Sequence, residues 1–110
     1  MKIDYNGRRF RADHGGEDAS TAMYRQEGDL VWAEFGGGEV RKGSLTGLCA
    51  PDGSLDFAYT MVLAGGEVIS GRNWSVPEFL ADGRILLNER WERYGEHSDS
   101  GVSQIIEVVD

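Results

Sequence analysis

Apolar and polar residues alternate along most of this chain, and the alternation is cleanest from Leu55 to Leu63. There Leu55, Phe57, Tyr59, Met61 and Leu63 fall on one face, and Asp56, Ala58, Thr60, Val62 and Ala64 on the other. A period of two with one apolar side marks a half-buried β-strand. The stretch from Ile85 to Arg93 repeats the pattern with one difference: Ile85, Leu87 and Trp91 lie in phase with a carboxylate, Glu89. Further strands are predicted at Arg8 to Ala12, Thr21 to Gln26, Leu30 to Phe35, Glu39 to Ala50, Glu67 to Ser75 and Val102 to Val109, about eight in all.

Turn chemistry separates these strands at short intervals. It stands at Asn6-Gly7, Asp13 to Gly16, Gly28-Asp29, Gly36 to Gly38, Pro51-Asp52-Gly53, Gly65-Gly66, Asp82-Gly83 and Gly95 through Gly101. Glycine at positions able to take positive φ, recurring between alternating runs, is the mark of successive hairpins. Val76 to Ala81 interrupts the rhythm, because Pro77 has no N–H for a ladder and is expected to end the strand before it. An irregular connection or one helical turn is predicted there. Gly43, Gly47 and Gly71 fall inside strands, where a bulge or sharp coiling is expected.

Sequential strands joined by tight turns leave two open edges unless the sheet closes on itself. The predicted architecture is therefore all-β, an eight-stranded antiparallel up-and-down barrel. At that strand number the interior holds packed side chains or one small ligand. No linker or low-complexity segment divides residues 1–110, so one domain is expected.

Composition narrows the function classes. A net charge of −8 opposes phosphate binding, so neither a nucleic acid nor an anionic membrane is an expected partner. The absence of an apolar leader or a long apolar run predicts a cytoplasmic protein. Cys49 is the single cysteine, which excludes an internal disulfide. It has no cationic neighbour in sequence to activate it and is expected to be inert. His14 and His97 both sit in polar, turn-like surroundings with no paired ligand spacing, so no metal and no cofactor is expected. Gly36 to Gly38 lacks both the Gly-Lys-Ser/Thr ending and the following helix of a phosphate loop.

Two stretches carry a resemblance. They are the run from Gly36 to Gly47 (GGGEVRKGSLTG) and the run from Pro77 to Glu92 (PEFLADGRILLNERWE). With the hairpin between them they resemble a family of small bacterial proteins, some of which bear the label N-acetylglutamate synthase. Such synthases resemble larger α/β proteins with an acyl-CoA phosphate loop, and neither that loop nor a β/α alternation is present here. The strand from Arg84 to Tyr94, a polar loop and a final apolar strand look like the closing hairpin of avidin-like and lipocalin-like barrels, the calycins. That resemblance implies a barrel that binds a small ligand inside. It is one of pattern, and the biotin-binding set of those barrels does not map onto numbered positions here.

The candidate ligand-binding residues follow from the strands. Trp32, Trp74 and Trp91, with Tyr24, Phe57, Tyr59 and Met61, are the aromatic and soft side chains that would wall an apolar pocket or else fill a core. Glu89, set between Leu87 and Trp91, must be paired or have its pKa raised. Arg72, in phase with Trp74, is its expected partner. Glu89 then either cross-links strands, anchors a ligand or acts as a catalytic acid or base. Glu34, in phase with Leu30 and Trp32, is expected at a solvated strand end. The leading expectation is a protein that binds a hydrophobic or aromatic small molecule in the barrel interior. The alternatives are a small barrel enzyme of cyclase or isomerase type using Glu89, and a homo-oligomeric scaffold.

Overall fold

The computed structural model describes residues 3–12 and 19–109. The turn at Asp13 to Gly16, and His14 with it, lies outside the described residues. Within them the hydrophobic alternation resolves into eight strands: β1 (Arg9–Ala12), β2 (Thr21–Glu27), β3 (Leu30–Gly37), β4 (Val40–Cys49), β5 (Leu55–Leu63), β6 (Val68–Phe79), β7 (Ile85–Tyr94) and β8 (Asp99–Val108). Each strand pairs antiparallel with the next, and β1 pairs with β8 from Arg9↔Val108 to Ala12↔Ile105, closing the barrel. The predicted up-and-down topology is the one observed. The hairpins use the expected turn chemistry. Gly28 takes a φ of 62° at the first central position of the two-residue loop between β2 and β3, a conformation costly for a residue with a Cβ.

Two boundaries differ from the sequence expectation by more than two residues. Strand β6 does not stop before Pro77 but runs on to Phe79, with Pro77 opposite Leu87 of β7. The reason lies on its other side: pairing with β5 ends at Leu55↔Ser75, so beyond Ser75 one flank of β6 has no ladder. A proline is tolerated on such an edge-like stretch. Strand β8 begins at Asp99 rather than Val102, because Gly101 pairs with Trp91 and carries the ladder past the glycine.

One end of the barrel is plugged by the segment before β1, which the alternation left unassigned. Tyr5 is fully buried and donates its hydroxyl to the Gly53 carbonyl at 2.6 Å and its N–H to the Gln26 side-chain oxygen at 2.9 Å. Its ring meets Phe10 and Tyr24 at centroid distances of 6.2 and 6.0 Å, and Phe10 meets Tyr24 edge-on at 5.2 Å. Val31, Leu55, Ile85 and Leu87 complete this closed floor. Arg8 fastens the plug through a two-pronged bond to the Glu107 carboxylate at 2.9 and 3.1 Å, and Glu107 also accepts from the Ile85 N–H at 3.1 Å.

Candidate functional site

Above the floor the barrel keeps a hollow of about 190 Å³. Its existence traces to four pairs of residues facing each other across neighbouring strands. Phe35 is opposite Gly43, Phe57 opposite Gly47, Tyr59 opposite Gly71 and Trp91 opposite Gly101. In three of the four the ring lies over the glycine, where a Cβ at Gly43, Gly71 or Gly101 would strike it; at Gly47 a Cβ would strike the backbone of Asp56 and Phe57. The strand glycines thus serve close approach, and the register irregularities fall elsewhere, between Phe35 and Gly37 on β3 and between Val40 and Lys42 on β4.

The hollow is lined by Tyr24, Phe57, Tyr59, Met61, Glu89 and Trp91 of the residues expected from the sequence, together with others including Asn73 and Arg93. Three expected residues are not there. Trp32 stands on the outer face at 38% exposure, and Arg72 and Trp74 also point outward. Arg72 makes no pair with Glu89; it holds Asp56 with two bonds of 2.8 and 3.0 Å. The guanidinium groups of Arg72 and Arg90 both lie over Trp74, at 5.6 and 4.2 Å from its ring centroid. The inward set of β6 is Ile69, Gly71, Asn73 and Ser75. It reads as the polar face, because Gly71 yields to Tyr59, and Asn73 and Ser75 are spent on Glu89.

Glu89 sits in a polar layer built by three adjacent strands. Ser75 of β6 and Ser103 of β8 are its direct cross-strand neighbours. One carboxylate oxygen accepts from Asn73 at 3.1 Å and Ser75 at 3.2 Å, the other from Ser103 at 3.5 Å. Among the described residues no Lys, Arg or His forms an ion pair with it. Burial pushes its pKa up to about 7, and the three neutral donors offset that only in part. Tyr24, buried beside it, is raised well above the usual phenol value by burial first and the Glu89 charge second.

Nearer the mouth, Arg93 lays its guanidinium 5.1 Å from the Trp91 ring centroid. Among the described residues its Nε is a buried side-chain nitrogen without a hydrogen-bond partner. Asn73 and Arg93 were not singled out by sequence reading. Arg93 continues the inward phase of Glu89 and Trp91, and that phase was the available signal.

A family model for avidin-like proteins matches residues 3–108, nearly the whole chain. The chain belongs to the avidin-like family. No curated protein and no solved structure matches it. The match supports the avidin-like half of the resemblance read from the Arg84 to Tyr94 hairpin, and it gives no support to the N-acetylglutamate synthase label. Within this avidin-like barrel Cys49 is buried with its thiol pKa raised, first of all by burial, which disfavours the reactive thiolate. Glu34 lies exposed on the outer face opposite Ser44, with the charge of Lys42, two residues along β4, 3.6 Å away. Among the described residues no cluster of three or more His, Cys, Asp or Glu side chains is placed to hold a metal ion.

Proposed function

We propose that this avidin-like barrel binds a small molecule in its interior, and that the ligand is a ring-sized compound whose apolar body is seated against Trp91, Tyr24 and Phe57. The observation that carries the reading is the hollow itself. A chain this small gains stability by filling its core, yet four aromatic residues are each set opposite a glycine, so that space remains. At about 190 Å³ it is smaller than drug-sized pockets, which start at about 300 Å³, and close to the cavity of about 150 Å³ that accepts one benzene. The wall is mostly aromatic and aliphatic with a few convergent polar groups, the composition usual for small-ligand sites.

Ala22 of β2 faces the hollow, so Ala22→Phe would occupy it from the wall. A thermal-shift screen of one- and two-ring compounds is expected to find ligands that stabilise the native chain by about 2 to 3 kcal/mol at a hundredfold excess over Kd. The same compounds are expected to lose their effect on Ala22→Phe. Equal shifts in both proteins would place binding outside the barrel and end the proposal.

One observation favours a second reading. A carboxyl group with a pKa of about 7 gives or takes a proton near neutral pH, so the same hollow suits an enzyme of cyclase or isomerase type with Glu89 as acid or base. Glu89→Gln separates the two, since it removes the proton transfer while preserving the shape of the hollow and its aromatic wall.

A further inference from the structure

We propose that the ligand is bipolar: a flat ring seated beside Trp91, with a basic nitrogen at one end that pairs with Glu89 and an anionic or strongly accepting group at the other that pairs with Arg93. The inference rests on the reading that the interior is a binding site and adds the chemistry of what enters. Glu89, Trp91 and Arg93 are alternate residues of one strand, and all three line the hollow. At about 3.3 Å per residue the Cα atoms of Glu89 and Arg93 stand about 13 Å apart, with the indole midway. The side chains reach inward from those points, so the span between the charged groups suits one ring with a short substituent at each end.

Each end of this ruler lacks something that a ligand would supply. Glu89 is satisfied by Asn73, Ser75 and Ser103, which are neutral, and among the described residues it lacks a counter-ion. An ionised carboxylate out of water without a cation is costly, and a protonated nitrogen on the ligand compensates it directly. Arg93 presents the converse case: its permanently charged guanidinium reaches the neutral Tyr59 hydroxyl, but its buried Nε has no acceptor among the described residues. Trp91 lies over Gly101 and has that guanidinium beside it, so the part of the indole that neither covers is what it presents to the hollow. A purely apolar guest would leave both groups as they are, and a simple cation or anion would satisfy one.

The test uses a matched set of benzene derivatives titrated calorimetrically into the full chain at pH 8, where Glu89 is ionised. The other groups facing Glu89 are Tyr24 from β2, Asn73 and Ser75 from β6, Ser103 from β8, and Tyr59 and Arg93 farther along the hollow. Tyr24 and Tyr59 both have raised pKa values and stay neutral at this pH. The probes are 4-(aminomethyl)benzoate, carrying both groups, benzylamine and benzoate, carrying one each, and toluene, carrying neither. The doubly substituted probe is expected to bind at least about tenfold tighter than either single one. Glu89→Gln is expected to weaken 4-(aminomethyl)benzoate and benzylamine by about tenfold and to leave benzoate within about twofold; Arg93→Gln is expected to do the reverse. Retained binding of the indifferent probe shows in each case that the variant is folded. Toluene binding as tightly as 4-(aminomethyl)benzoate, or either variant weakening all probes alike, would overturn the bipolar assignment while leaving the interior as a binding site. If none of the four binds, the interior reading falls with it.

Discussion

Glu89 is the residue whose environment most departs from its ordinary chemistry, and its behaviour with pH follows from that. Its folded pKa, about 7, lies above the unfolded glutamate value of about 4.3, so the folded state holds a proton that the unfolded state has released. Stability is then greatest below about pH 4.5 as far as this group is concerned. It falls as pH rises to about 7, by a few kcal/mol in total, and is level above that. Asp52 and Asp82 act in the opposite sense, since turn N–H groups hold their pKa values down, but they titrate below this window. Urea unfolding between pH 5 and 8 is expected to show the decline in the native protein and to lose it in Glu89→Gln, which should be the more stable of the two at pH 8. A native protein whose stability rises with pH over that range would mean that Glu89 is charged and paired.

At the scale of the element, the strands are tied together by aromatic residues set opposite glycines, and the glycines are not equivalent. A Cβ at Gly47 would meet the backbone of Asp56 and Phe57, which has no room to move, whereas at Gly101 it would meet the far edge of the Trp91 ring. Gly47→Ala is therefore expected to cost about 1 to 3 kcal/mol by overpacking. Gly101→Ala is expected to cost less, because the indole swings into the hollow, and to abolish ligand binding. Chemical denaturation with a thermal-shift assay of any bound ring compound reads both. Equal stability loss with binding retained in Gly101→Ala would show that the ring does not depend on the glycine for its place. The outward stack of Arg72, Trp74 and Arg90 shows the same logic on the other face, where aromatic surface is covered by guanidinium groups rather than by core.

For the whole molecule the decisive contacts are those that close the ring of strands and plug one end. Strand β1 is short, with four residues, and the pairing that completes the barrel depends on it. Arg8 reinforces that seam by holding Glu107, which is 7% exposed. Arg8→Ala would leave a buried carboxylate with the Ile85 N–H and little else, a loss expected to cost about 2 kcal/mol, since the arginine itself is partly solvated. Amide exchange is expected to rise first in β1 and β8. Unchanged protection there would show that the seam holds without the ion pair.

The sequence by itself determined the strand count, the turns and the closed up-and-down order, because a period of two, glycine at turn positions and edges that must be paired are local or nearly local facts. It also identified Glu89, an acid in an apolar phase, and the inward faces of β5 and β7. What it left undecided was which side of β3 and β6 faces in. Trp32 and Trp74 are large and apolar and read as core, whereas Asn73, Ser75 and Gly71 read as surface. Only the closed barrel reverses that assignment, by setting Gly71 under Tyr59 and both polar residues against Glu89 across strands separated in sequence. Side-chain size decides a face when a strand is alone; once the sheet closes, what stands opposite decides it, and that is a property of register rather than of any one stretch of chain.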